Sequence, residues 1–287
     1  MEATPRDYSS ISPTARALLL LKGMTAIPFM KEAAQLILSP DPYTPDFNSR
    51  DLAMWAGVLH FEDRYWSIDQ LLAGLPLRNI LELSSGFSFR GLAMMQQPGY
   101  YYVDTDLPDI IRLKKQLVAA LDSVSTGGTM ELLPLNALDE AAFSQVVAHF
   151  PAGELAIVNE GLLMYLNTME KEQLCGIIRR VLEQRGGYWI TGDIYIKTDE
   201  RKMDMQRSKE WQEFYRQHQI HENKFDSFDQ AESFFNSMGF VVDKMAVREH
   251  ARLTALPRLL DVATEEQLQQ MRSVGRARAT WRLKLAM

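Results

Sequence analysis

A short apolar run, Asn79-Ile80-Leu81-Glu82-Leu83, opens directly onto Ser84-Ser85-Gly86-Phe87-Ser88-Phe89-Arg90-Gly91, and that junction restricts the chain more than any other stretch. The run reads as a buried strand of a parallel sheet. The small residues after it let the backbone approach a ligand closely, and Phe89 to Met95 reads as a helix whose N-terminus offers free N–H groups. Strand, small-residue turn and helix together open a nucleotide-binding βαβ unit. A second strand, Gly99 to Val103, ends in Asp104-Thr105-Asp106. An acidic side chain at that point is set to accept hydrogen bonds from ribose hydroxyls.

The surrounding chain continues this rhythm. Residues 1–11 are polar, and from Ser12 to about Leu38 apolar positions recur at helical spacing behind the start signal Ser12-Pro13. A proline-rich loop, 39–46, separates this stretch from a second helical one running from Asp51 to Ala73. Beyond Asn79 the spacing predicts a helix near Pro108–Leu121, a strand over Met130–Leu135 and a helix near Asp139–Phe150. A fourth strand, Glu154–Asn159, leads into Glu160-Gly161-Leu162-Leu163-Met164-Tyr165-Leu166. Asn167 with Glu170 three residues on is a capping-box start for a helix to about Gln184. Gly186-Gly187 stops that helix, and Tyr188–Ile194 is a fifth strand. Such alternation specifies a parallel sheet with helices on both faces.

The rhythm fails between Lys197 and Asp226, which reads as a helical lid over the strand ends or as a solvated helix with an aromatic stripe. A helix near Asp229–Met238 stops at Gly239, and a strand, Phe240–Met245, follows. After a last helix near Thr264–Ser273, the alternation from Ala279 to Leu285 predicts an edge strand, with Arg282 and Lys284 solvating that edge. Residues 1–75 thus form a helical cap and 76–287 a Rossmann-like core with a lid insertion at about 197–226.

A chain of 287 residues can bury a full core. Its net charge of −6 argues against nucleic acid or an anionic membrane as partner. Cys175 is the only cysteine, which excludes a disulfide framework and a cysteine-based zinc site. In a predicted helix it reads as a small buried hydrophobe. Leu18-Leu19-Leu20-Leu21 is far too short to span a bilayer and ends at Lys22. These features predict a soluble protein of a reducing compartment, the cytoplasm. They give no oligomeric state.

Four separated segments carry a family likeness: Thr14-Ala15 with Lys22, Glu82 to Gly86 with Arg90, Asp104 to Pro108 with Lys114, and Glu160 to Leu166. From about Ser12 to Ile194 the chain resembles the S-adenosylmethionine-dependent carboxyl and O-methyltransferases, the family of leucine carboxyl methyltransferases and tetracenomycin-type polyketide methyltransferases. The resemblance implies a class I methyltransferase fold: a mostly parallel seven-stranded sheet whose last strand is antiparallel. It implies S-adenosyl-L-methionine as cofactor and a small-molecule, polyketide-like acceptor. Lys22 and Arg64 would hold the carboxylate of the cofactor's methionine end. The alternatives are a snorkelling Lys22, and an Arg64 paired to Glu62 or Asp63 with Arg50 serving in its stead. Gly86 would let the backbone pass the cofactor. Asp106 would bind ribose and Asn136 the adenine amino group, with Asp104 the next candidate for the ribose and the other aspartate capping a turn. Glu82, inside a strand, needs a partner, and a structural ion pair to Arg90 or Lys22 is the rival to a cofactor role. Glu160 would serve the cofactor or the reaction, and Tyr165 would line the acceptor site.

Two positions depart from the family. Its glycine is Ser84 here, and its aspartate two residues past Gly86 is Ser88. Methyl transfer from a sulfonium depends mainly on positioning. A carboxylate acceptor needs no base, whereas a phenol benefits from one. His60, His218 and His221 are the available imidazoles, the last two sharing a helix face if the lid is helical. With no third ligand in view, the spacing of His218 and His221 predicts no metal site. A nicotinamide-dependent oxidoreductase and a non-catalytic binding protein of the same fold stay open as rivals.

Overall fold

Strand β1 (Asn79–Leu83) is buried along its whole length, as a strand with no polar face must be. In the computed structural model, which describes residues 12–121, 127–197, 213 and 215–286, it is the third strand across a seven-stranded sheet. Its partners are β2 (Tyr101–Asp106), β3 (Thr129–Pro134), β4 (Leu155–Asn159), β5 (Gly187–Tyr195), β6 (Phe240–Met245) and β7 (Arg278–Leu285). The order across the sheet is β3-β2-β1-β4-β5-β7-β6. The first five strands run parallel, and β7 is antiparallel to both β5 and β6. This is the class I methyltransferase sheet that the resemblance implied.

Both faces of the sheet are covered, and side chains along the central strands alternate between two apolar layers. On β4, Leu155 and Ile157 join one layer, with Phe143, Leu174 and Ile178 of helices α6 (Glu140–Val147) and α7 (Thr168–Arg185). Ala156 and Val158 join the opposite layer, with Ile68, Leu71 and Leu72 of α3 (Leu52–Leu72). The line drawn at residue 75 therefore runs through one apolar cluster. The capping box of α7 forms as expected between Asn167 and Glu170. At Gly187 a Cβ would stand 2.1 Å from the Leu155 carbonyl oxygen, so only glycine lets β5 begin there.

Several expectations are corrected. The strand 279–285 is not at the edge: β7 is inserted between β5 and β6, and β6 is the edge. Its cations do not solvate an edge as a pair. Arg282 is turned inward onto Asp243 of β6, 2.6 Å away, and donates to the Leu71 carbonyl. The helical stretch 12–38 is two helices, α1 (Ser12–Lys22) and α2 (Met30–Leu38), because Phe29 takes a left-handed φ of 65°. The first crossover helix, α4, covers only Arg90–Met94. The expected elements after β2, after β5 and before β7 are α5 (Pro108–Ala120), α8 (Phe228–Ser237) and α10 (Glu265–Val274).

One helix went unpredicted, α9 (Ala255–Val262). It packs Ala255 and Leu259 against Trp55 and Val58 of α3. Its N-terminal donors are satisfied from afar: Glu62 accepts from Thr254 N–H at 3.0 Å, Thr254 Oγ1 at 2.6 Å and Ala255 N–H at 2.9 Å. Most of the expected lid, 198–212 and 214, lies outside the described residues. In its described remainder, 218–221 form a turn rather than a helix, with Gln219 at φ 52°. His218 and His221 therefore do not share a helix face. Among the described residues no helix is long and apolar enough to cross a membrane.

Candidate functional site

The turn after β1 is held in shape by the end of β2. Ser85 N–H donates to the Thr105 carbonyl at 3.0 Å, and Gly86 N–H donates to Asp106 Oδ2 at 2.7 Å. The second oxygen of Asp106 accepts Leu107 N–H, also at 2.7 Å. Ser84 and Gly86 both have left-handed φ values, 49° and 52°. The glycine expected at the first position would take this conformation freely, whereas serine takes it under strain. Asp104 is not a turn cap. It is fully buried and paired with Lys114 at 2.6 Å, and Lys114 also donates to Ser85 Oγ. Burial pushes the Asp104 carboxyl up to about 7, against the pull of Lys114.

Above this turn a cavity of about 200 Å³ lies at the C-terminal ends of the parallel strands. Such a position is where open α/β sheets bind ligands. Its wall brings together Lys22, Arg64, Gly86, Asp106, Asn136, Glu160 and Tyr165. Glu82 is not among them. It faces the same layer as Ile80, wholly buried, where Tyr102 donates to it at 2.6 Å, Ser88 at 3.3 Å and Arg90 approaches at 3.6 Å. It supports the wall from behind.

Glu160 sits in a cage of three cations. Lys22 Nζ donates to it at 2.5 Å, Arg64 Nε at 3.2 Å and Arg90 Nη2 at 3.1 Å. Burial alone would raise the Glu160 carboxyl, but Lys22, Arg64 and Arg90 together hold it well below the usual carboxylate range. Burial lowers Lys22, with Glu160 opposing and the two arginines adding. Neither Lys22 nor Arg64 is a surface group: their exposures are 6% and 3%. Arg50 is exposed, on the Asp261 carbonyl, and takes no part. Arg90 stacks 4.0 Å from the centre of the Tyr65 ring and also pairs with Asp69.

Two groups absent from the sequence reading shape this cage. Asp193 on β5 is buried, and it accepts the N–H groups of Gly161 and Leu162 at 2.7 Å each. Tyr195, at the end of β5, accepts from Arg64 Nη1 at 3.1 Å and lies 2.8 Å from His60 Nε2. His60 and Arg64 stand four residues apart on α3, hence on one helix face, a spacing visible in the sequence. Burial, with Arg278 and Arg64 adding to it, pulls the His60 imidazole well below its ordinary pKa, so it is neutral. Burial pushes the Tyr165 hydroxyl up to about 12, and His218 packs edge-on against its ring. Asn136, in the cavity wall, uses its side-chain oxygen on Leu138 N–H at 3.1 Å. Cys175 is buried away from the cavity, and burial pushes its thiol up to about 12.

No protein-family model and no curated protein matches the sequence. Among solved structures the chain is similar to a DUF574 family protein from Streptomyces avermitilis, with 15% sequence identity and a TM-score of 0.58, over 95% of this chain and 97% of that one. It is also similar to the magnesium protoporphyrin IX methyltransferase ChlM from Synechocystis with bound SAH, with 9% identity and a TM-score of 0.48, over 91% and 96% of the two chains. A further similarity is to LepI in complex with SAM, with 10% identity and a TM-score of 0.46, over 76% of this chain and 46% of that one. The chain thus spans about half the length of LepI. With the Streptomyces protein it shares its fold over nearly the whole of both chains.

Proposed function

We propose that the chain is an S-adenosylmethionine-dependent methyltransferase acting on an oxygen, carboxylate or hydroxyl, of a small-molecule, polyketide-like acceptor. One observation carries the reading: the Lys22–Glu160–Arg64 cluster opens into the same cavity as Gly86 and Asp106, at the C-terminal edge of the sheet.

The donor set fits the cofactor. Its methionine end is a zwitterion, and the cluster offers two cations for the carboxylate beside one carboxylate for the ammonium. Asp106, although its oxygens already hold two backbone N–H groups, keeps an edge in the cavity wall and retains lone pairs for a ribose hydroxyl. Asn136 would meet the adenine edge. Glu82 would act only through Arg90 and Ser88.

When bound, S-adenosylmethionine supplies a methyl group on a positively charged sulfur. The chain's own part is positioning. Glu160, kept ionised by its cage, orients the amino-acid end and keeps Lys22 and Arg64 extended. Tyr165 stays protonated and offers its hydroxyl to the acceptor oxygen. Phe61, Met164, Tyr165 and Tyr215 give the acceptor side an apolar, largely aromatic wall that suits a flat molecule.

Thermal unfolding with S-adenosylmethionine, S-adenosylhomocysteine, NAD or NADP in separate wells tests this. A ligand at about a hundred times its dissociation constant adds roughly 2.7 kcal/mol. Stabilisation by the first two alone, lost in Asp106→Ala, is the expected result. Stabilisation by a nicotinamide cofactor alone would overturn the reading.

A further inference from the structure

We infer that the acceptor is a neutral phenol whose hydroxyl docks on the Tyr195–His60 pair and passes its proton through Tyr195 to His60. The inference rests on the methyltransferase reading and names the substrate class of the same cavity.

Position is the first argument. Gly86 and Asp106 line the cavity from the β1 and β2 side, while Tyr195 ends β5, beyond β4 in the sheet. His60 and Tyr195 are both in the wall, so the pair is open to a ligand and is set apart from the nucleoside end. Their rings lie 5.7 Å apart, and Phe61 packs edge-on to His60 at 5.1 Å. The three rings together offer an entering aromatic molecule an aromatic surface beside the polar pair.

Charge is the second argument. Among the described residues the wall holds two cations, Lys22 and Arg64, and both are bound to Glu160. An anionic acceptor would compete with the cofactor's own carboxylate for these two cations, whereas a hydroxyl finds an acceptor at the Tyr195 oxygen. Arg64 donates to that oxygen, and the 2.8 Å contact of the tyrosine hydroxyl with His60 Nε2 takes the hydroxyl's own proton in the Nδ1–H tautomer, which we assign to the ring. In that tautomer the imidazole keeps the Nε2 lone pair for the bond. Burial, reinforced by Arg278 and Arg64, keeps the resting ring unprotonated and its lone pair available. It also makes the imidazolium costly, so the proton moves only as the acceptor's negative charge and Glu160 offset it.

The step balances without a co-reactant. The acceptor O–H bond breaks and a new O–H bond forms on Tyr195 as its former proton bonds to His60 Nε2. The acceptor is left an oxyanion beside Arg64, and His60 becomes an imidazolium.

A photoacid reads the relay without turnover. 2-Naphthol becomes strongly acidic on excitation and emits as naphtholate only where a proton acceptor is in reach. Bound to the intact protein it is expected to show the naphtholate band, and in His60→Leu, with binding retained by calorimetry, only the naphthol band. Tyr195→Phe keeps the ring and gives the same loss should His60→Leu not fold. Failure of 2-naphthol to bind, or naphtholate emission unchanged in the variants, overturns the inference. Melting the same samples with S-adenosylhomocysteine separates the two claims. Stabilisation with no dependence of the emission on His60 sinks this inference alone, whereas no stabilisation sinks the methyltransferase reading beneath it.

Discussion

Asp193 on β5 accepts the backbone N–H of Gly161 at 2.7 Å through Oδ1, while its Oδ2 gathers Asn159 Nδ2, Leu162 N–H and Leu163 N–H. One carboxylate thereby fixes the chain on both sides of Glu160. Asp193→Ala would strand several buried donors at once, each costing about 1–3 kcal/mol when unsatisfied. A loss of about 3–5 kcal/mol is expected, with Asp193→Asn losing less. Urea unfolding checks this: the midpoint should fall with the slope unchanged.

Ser84 is the opposite case, a residue that strains the turn it occupies. Its φ of 49° costs a side-chain-bearing residue about 1–2 kcal/mol, and glycine gives back about 0.5–1 kcal/mol through its freer unfolded chain. Ser84→Gly is therefore expected to stabilise the protein by about 0.5–1 kcal/mol. A lower melting temperature for the glycine variant would refute the strain.

The Glu160 cage has a pH signature. Its carboxyl titrates lower in the folded chain than the ordinary value of about 4.3 in the unfolded one. Its contribution is thus complete above that value and is lost as pH falls through it toward the folded pKa. Glu160→Gln leaves three buried cations facing a neutral amide, at a cost of about 3–5 kcal/mol near neutrality. The melting-temperature gap between parent and variant should hold from pH 7 to about 5 and narrow below about 4.

Glu62 makes a prediction at long range. Glu62→Ala removes the acceptor for Thr254 and Ala255 and leaves the start of α9 uncapped, at about 1–3 kcal/mol. Limited proteolysis should then cut first around residues 248–263, ahead of the sheet. Cleavage there at the parent's rate would show that α9 is held by its apolar face alone.

What was legible in the sequence was what is local. The Asn167–Glu170 box and the Gly186 stop specify α7 within their own stretch, and the apolar runs of β1 and β4 need no partner to be recognised. Helix α9 escaped because its cap, Glu62, comes from 192 residues away and Pro257 near its start reads as a loop. The edge reading of β7 failed because Arg282 alternates with apolar residues just as a solvated cation would. Only the pairing shows Asp243 and the Tyr188 ring, 4.9 Å away, receiving it. In the site, the Glu160 motif stood out by its residues. The cage around it is assembled from positions 22, 64 and 90, which no spacing relates.

Helix α3 is an early piece of chain whose fittings arrive late. Glu62 waits for Thr254 and Ala255, Ser67 for Thr280 at 2.7 Å, and Asp63 for Arg278 at 2.7 Å. On the ribosome, then, His60 and Arg64 are made long before the partners that lock their helix onto the sheet. The five parallel strands can assemble as they emerge, but the roof of the cavity stays unlatched until residues 254–280 have been released. Contacts of that sequence separation are the slow ones to form, so binding competence should lag behind the appearance of folded sheet during synthesis.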